Sequence, residues 1–227
     1  MSSVTRTSVE ALLPEDIIFE MVLTTVDAQG KPNAAPVGVT RKGAKLHVDL
    51  ASGTRSVENL LRNPAAALSI VYDPLVFAKT AFNQTSADMF DRSQGWDVPT
   101  ISRAAACILV SLGTRHRVAR DDELGHTTFQ RLVFRPLETE ILGLPRPHSR
   151  RFAATLEVII ALTRAAVAVE RGLGHLIPGI QKALDGQIAV ARRGGTDNRT
   201  EEALQLCLRE LANVAKRTRR ADHAREA

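Results

Sequence analysis

The sequence predicts an α+β chain, an antiparallel β-rich part over residues 1–147 followed by an α-helical part over residues 148–227. Three observations predict it. Short runs with period-two alternation, separated by turn residues, fill the first part. Apolar residues at spacings of three and four fill the second. Between them, Gly143 to Pro147 is the strongest linker signal in the chain.

Ile17 to Val26 reads as the first strand, closed by a turn over Asp27 to Gly30. Asn33 to Arg41 reads as the second, with Lys42 and Gly43 as a tight turn. Lys45 to Leu50 is the third, in which Leu46, Val48 and Leu50 alternate with Lys45, His47 and Asp49, so one face is wet. Strands joined by turns this short form a meander. The period then changes. Thr54 to Arg62 places Val57, Leu60 and Leu61 on one side of a short amphipathic helix, with Ser52 or Thr54 as its N-cap. Asn63 and Pro64 end it, because the residue before proline is pushed out of the helical region. Ala65 to Tyr72 is a buried strand closed by Asp73 and Pro74. Residues 83–102 are polar and contain the single tryptophan, Trp96, and read as a long loop of the kind that covers sites. Ala105 to Val118 and Phe129 to Leu142 are further strands.

Beyond the linker, Phe152 to Val169 is apolar nearly all round, as in a helix buried on several sides, and Gly172 and Gly174 end it. Leu176, Ile177, Ile180, Leu184, Ile188 and Ala191 form the stripe of a second helix, which Pro178 either starts or kinks. After Gly194 and Gly195, Asn198 or Thr200 caps a last helix with Leu204, Cys207, Leu208, Leu211 and Val214 on one face.

Composition narrows the function classes. Two distant cysteines are too few for a disulfide framework or a cysteine-rich zinc site and read as reduced, buried thiols. No His-x-x-His pair, Gly-x-Ser-x-Gly elbow or dinucleotide fingerprint occurs, so no metal site and no catalytic triad is predicted. Aromatics make up only 4%, which argues against a nucleic-acid surface of stacked rings. Basic and acidic residues balance across 1–147, and the whole +5 excess lies in 148–227. The cluster Lys216, Arg217, Arg219 and Arg220 reads as a solvated helix end rather than a nucleic-acid contact. Residues 1–14 lack the apolar core of a signal peptide, and Glu157 and Arg164 interrupt the most apolar stretch, so a cytoplasmic protein without a membrane span is expected.

The densest chemistry lies in the junction from Asp49 to Asn59, where small residues and hydroxyls arrive as a helix begins. Free N–H groups and the positive helix end favour an anion there. Gly53 admits close backbone approach, and Arg55 offers a planar fork of donors. On local physics, an ordinary helix cap beside a solvated arginine accounts for these residues equally well.

Residues 17–82 resemble the N-terminal half of the flavin-binding split β-barrels, the superfamily of pyridoxamine-phosphate oxidases and flavin reductases. The resemblance rests on Thr24 and Thr25, Ala34 to Gly38, Leu46 to Leu50, Thr54 to Ser56, and Asn63 with Pro64. More specifically, Thr24 to Pro32, Ala35 to Val39, Gly53 to Leu60 and Tyr72 to Ala78 resemble the DUF447 family of archaea and of some bacteria with methanopterin-linked one-carbon metabolism. That resemblance implies FMN held at a homodimer interface. Ser52, Gly53, Thr54, Arg55, Ser56 and Asn59 would surround its phosphate, and Asn33, Ala34, Ala35, Pro36 and Val37 would pass along its ring. Many relatives carry a lysine directly after the phosphate-binding arginine; Ser56 stands there, so one positive charge is missing. The implied activity is a flavin-dependent oxidoreductase acting on a small, pterin-like or one-carbon substrate, with NAD(P)H as a donor. Phe82, Trp96 and His126 are the expected pocket residues. The competing expectation is a non-catalytic flavin-binding module whose helices, above all 152–169, dock a partner.

Overall fold

The computed structural model describes residues 5–92, 95–143, 149–193 and 197–226, with side chains from Arg6 to Lys216 within those ranges. The expected linker after Gly143, the Gly194–Gly195 break and the side chains of the basic cluster beyond Lys216 lie outside the described residues.

The chain divides into two compact units. The first comprises residues 1–72, 85–121 and 126–146. The second comprises residues 73–84, 122–125 and 147–227.

In the first unit, strands β1 (Thr5–Arg6), β2 (Ile18–Val26), β3 (Pro32–Lys42), β4 (Lys45–Ala51), β5 (Ala65–Ile70), β8 (Ala106–Asp122) and β9 (Gly125–Ile141) form one antiparallel sheet. Its order is β1-β9-β4-β3-β2-β5-β8, and β8 also pairs with β9. The ring β9-β4-β3-β2-β5-β8 therefore closes on itself as a six-stranded barrel, with β1 added along β9. The split-barrel architecture expected from the sequence is the one observed. Short helices α1 (Val9–Leu12) and α2 (Arg55–Arg62) belong to the same unit, as does a small hairpin of β6 (Phe90–Asp91) and β7 (Thr100–Ile101).

Closure follows from residue alternation. Met21, Leu23, Val37, Val39, Leu46, Val48, Leu68, Ile108, Leu132 and Phe134 point inward and are buried, and Val57 and Leu60 of α2 join them. The first hairpin is held by its turn. Asp27 accepts from the N–H groups of Gln29 and Lys31, both at 2.9 Å, and Gly30 takes φ of +74°, which a glycine adopts without strain. Strands β8 and β9 run four residues further on either side than the sequence predicts. A two-stranded ribbon can be wet on both faces, so its polar residues keep pairing although they bury little.

Residues 83–102 are not a structureless loop. A 3₁₀ turn at Ala87–Met89 and the β6–β7 hairpin lie within them. Val98 and Trp96 pack with Val26, Ala65 and Ala67 on the outer barrel wall.

The second unit holds α3 (Pro74–Ala81), α4 (Arg150–Glu170), α5 (Ile177–Arg193) and α6 (Asn198–Glu226). Helix α3 is absent from the sequence reading, which stopped the preceding strand at Asp73 and Pro74. Those two residues are its start signal: the Asp73 carboxylate accepts from Leu75 N–H at 3.0 Å, and Pro74 occupies the first turn. Phe77 meets Phe152 edge-on, ring centres 5.9 Å apart. Helix α4 is long and apolar enough by composition to cross a membrane. Here Ala154, Thr155, Val158, Ile159, Leu162, Ala165 and Ala168 are buried, and α3, α5 and α6 pack against it. Pro178 is the second residue of α5 and starts it after a 3₁₀ turn at Gly174–Leu176. Helix α6 is capped by Asp197, which accepts from Thr200 N–H at 2.8 Å, rather than by Asn198 or Thr200. Its buried stripe is Ala203, Leu204, Leu206, Cys207 and Val214, while Leu208 is exposed.

Both cysteines are buried in separate units, Cys107 beside Ser69 and Cys207 inside α6. Burial pushes the Cys107 thiol up to about 11 and the Cys207 thiol up to about 12. Native protein at pH 8 should therefore react with neither thiol in a thiol–disulfide exchange assay. The same assay in denaturant should release two equivalents per chain.

Candidate functional site at the start of helix α2

Strand β4 leaves the barrel wall at Ala51, and Ser52 and Gly53 turn the chain into α2. Ser52 N–H donates to the Thr128 carbonyl at 3.0 Å, and Gln130 Nε2 donates to Ser52 Oγ at 3.3 Å, so β9 anchors the turn. Gly53 has φ of +81°, and a Cβ there would meet no atom within 4 Å. Thr54 is the N-cap, in extended conformation. Its hydroxyl makes no capping bond to the helix, so Thr54 does not itself satisfy the first-turn N–H groups. Ser52, Gly53, Thr54 and Arg55 are all exposed. Immediately beyond, Ser56 and Asn59 are buried, at 3% and 4% exposure.

These two residues connect the helix to the first hairpin. Asn33 Nδ2 donates to Ser56 Oγ at 2.9 Å, and Asn59 Nδ2 donates to Thr25 Oγ1 at 3.1 Å. Two segments singled out separately in the sequence, 33–37 and 52–59, are thus joined by a direct hydrogen bond, Asn33 to Ser56. Thr25, which carries part of the family resemblance, is not among the site residues expected from the sequence. Along β3, Ala34 and Val37 are buried, and Asn33, Ala35 and Pro36 are half-buried. Opposite Ala34 in register stands Thr24, whose Oγ1 is buried without a hydrogen-bond partner.

On the outward face of β4, Asp49 receives two bonds from Arg131, Nε to Oδ1 and Nη2 to Oδ2, each 2.9 Å, and a further one from Arg120. Arg120 also lies over the Phe129 ring, 5.1 Å from its centre. The Arg131 hydrogen bonds hold the Asp49 carboxyl below the usual carboxylate range against the opposing effect of burial. His47, two residues earlier on that face, is held below the usual imidazole range by burial and by Lys42 and Arg131.

Each of the three expected pocket residues makes contacts within the protein. Trp96 Nε1 donates to Glu138 Oε2 at 3.2 Å while its ring packs on the barrel wall. His126 Nδ1 pairs with Asp121 Oδ1 at 2.9 Å on the exposed ribbon. Phe82 ends α3 in the second unit, its N–H donating to the Ala78 carbonyl. Among the described residues no cluster of three or more His, Cys, Asp or Glu side chains is arranged to hold a metal ion.

Residues 19–142 match the family described as protein of unknown function (DUF447), N-terminal domain. The chain belongs to the DUF447 family. An uncharacterised protein of Methanocaldococcus jannaschii is 26% identical over 151 residues, covering 66% of this chain and 76% of its own. The crystal structure of an FMN-bound DUF447 protein from Methanosarcina mazei superposes with a TM-score of 0.67 at 24% identity, covering 85% of this chain and 94% of the other. The styrene monooxygenase flavin reductase of Pseudomonas putida S12 gives a TM-score of 0.44 at 18% identity, covering 58% and 93%. The agreement with the M. mazei protein places this DUF447 chain in the same fold.

The Asp49 cluster carries a pH signature. A carboxyl whose folded pKa is depressed contributes stability above its unfolded value, near 3.9, and that stability is lost as pH falls through the folded value. The melting temperature of the wild type should therefore drop below about pH 4. In Asp49→Asn the drop should be shallower; an identical acid limb in thermal melts would dismiss the coupling.

Proposed function

We propose that this DUF447 protein binds FMN through the start of α2 and uses it as an oxidoreductase. The observation that carries the reading is the exposed Ser52–Arg55 turn, which presents first-turn N–H groups, a Thr54 hydroxyl not spent on capping, and the Arg55 guanidinium in one place. The residues fit the group. Thr54, Arg55 and Ser56 would hold the phosphate, with Ser52, Gly53 and Asn59 shaping the turn around it. Asn33, Ala34, Ala35, Pro36 and Val37 would run along the ring, offering backbone groups to its polar edge. Thr24 Oγ1, a buried hydroxyl lacking a partner, lies opposite Ala34 in that strand pair. The FMN-bound state of the M. mazei family member supports the same assignment.

FMN supplies reversible two-electron and one-electron transfer when bound. The chain's own residues anchor, orient and shield, so the absence of a nucleophile–base pair from the sequence motifs is consistent with this chemistry. A homodimer enclosing FMN at its interface, NAD(P)H as donor, and a small pterin-like substrate complete the reading. A docking role for the helices draws no support from α4, whose apolar stripe is packed within its own unit.

Purified protein should be yellow and release FMN on denaturation. NAD(P)H should bleach it anaerobically; retained colour with every pyridine nucleotide would favour a flavin carrier over an enzyme. Arg55→Ala should weaken FMN binding roughly 10- to 100-fold, the loss expected for hydrogen bonds to a charged group, without unfolding the protein. A colourless protein that FMN cannot reconstitute would remove the reading altogether.

A further inference from the structure

The inner row of the first hairpin is apolar until its last pair. Met21 faces Val37 and Leu23 faces Ala35 across the register, and the next inward pair is Thr25 facing Asn33. Helix α2 mirrors this change. Val57 and Leu60 enter the barrel core, while Ser56 and Asn59, three residues apart and so on one helix face, meet the polar pair. Thr25, Ser56 and Asn59 are at least nine-tenths buried, at 1%, 3% and 4% exposure. Each helical residue bonds a different strand: Ser56 to β3 through Asn33, and Asn59 to β2 through Thr25.

Docking a short helix onto a barrel end does not require this. Apolar residues of similar volume would bury equally well, and a buried polar group left unmatched costs about 1–3 kcal/mol. Matched polar pairs differ from apolar contact in fixing direction and register, because hydrogen bonds tolerate little displacement. Two of them on two adjacent strands allow α2 neither to rotate nor to slide along the hairpin.

We propose that Thr25, Asn33, Ser56 and Asn59 form a positioning staple that sets the phosphate-holding turn of α2 at a fixed place relative to the ring-bearing start of β3. The proposal rests on the FMN reading above. It changes the part played by three of the expected ligands and adds Thr25, which stands opposite Asn33 in the strand pair and accepts from Asn59. In it, Asn33 and Asn59 act through the residues they hold. Ser56 accepts from Asn33 at 2.9 Å. The missing cation at position 56 then has a physical reason: a buried serine can join the staple, whereas a lysine there would have to leave the interior.

The staple acts on the phosphate half of the ligand, so FMN and riboflavin separate it from general loosening. Flavin fluorescence quenching should give affinities for both with wild type, Ser56→Ala, Asn33→Ala, the double variant, and Thr25→Val beside Thr25→Ser. Each single hydroxyl or amide deletion should lower FMN affinity about fivefold or more, the loss expected for one buried hydrogen bond, while riboflavin affinity stays within about twofold. The Ser56→Ala/Asn33→Ala double variant should lose no more than the worse single, since both remove one bond. Thr25→Ser should recover the affinity that Thr25→Val loses; that pair, one keeping the shape and the other the hydroxyl, keeps the test open if an asparagine variant does not fold. Equal losses for both flavins, additive losses in the double variant, or unchanged FMN affinity would each overturn the staple. Wild type that binds neither flavin would instead overturn the FMN reading. Wild type that binds both equally tightly would overturn the phosphate assignment.

Discussion

The arrangement at the start of α2 depends on the burial of Val57 and Leu60 among Met21, Leu23, Leu46, Phe134 and the other inward residues of the barrel. Each side chain of this size contributes about 1.5–3 kcal/mol when fully withdrawn from water. An eight-residue helix is too short to be stable alone, so this contact is what makes α2 a helix. The residues that lead into it, Ser52 to Arg55, stay exposed beside that buried face.

Hydrogen bonding refines what packing permits. Thr25 and Asn33 end the apolar row of the first hairpin, and they meet the only buried polar positions of α2, Ser56 and Asn59. On the neighbouring wall, Asp49 gathers Arg131 and Arg120, and Arg120 lies over Phe129. Strand β9 contributes to both features, pairing with β4 through Asp49–Arg131 and Ala51–Phe129 and accepting Ser52 N–H through Thr128. The long β8–β9 hairpin therefore closes the barrel and also braces the turn that leads into α2.

Much of this was legible in the residues. Period-two alternation in Lys45 to Leu50 and the Asp27–Gly30 turn predicted the meander, since side-chain direction in a strand is local. Helix α2 was readable from Val57, Leu60 and Leu61, although Leu61 proves exposed: the barrel offers room for a two-residue footprint. Helix α3 was overlooked because Leu75 to Ala78 continue an apolar run that a buried strand would also show. Its Asp73–Pro74 start was misread as a stop. Segment 83–102 has no periodicity of its own, and the structure gives Trp96 a wall to pack on and Glu138 to bond.

Sequence alone determined the succession of strands β2 to β5 with α2 among them, the α2 start with its Gly53, Thr54 and Arg55, and, by resemblance, the family. All of these depend on neighbours within a few residues or on motif spacing. Only the tertiary structure decided that Asn33 would reach Ser56 and Thr25 would reach Asn59, across 23 and 34 residues of chain. Such pairings are set by the closure and register of the barrel, which bring distant segments into hydrogen-bonding distance and leave no periodic trace in any one of them. The tertiary structure likewise gave Trp96 and His126 partners of their own, since Glu138 and Asp121 face them only after β8 and β9 have paired.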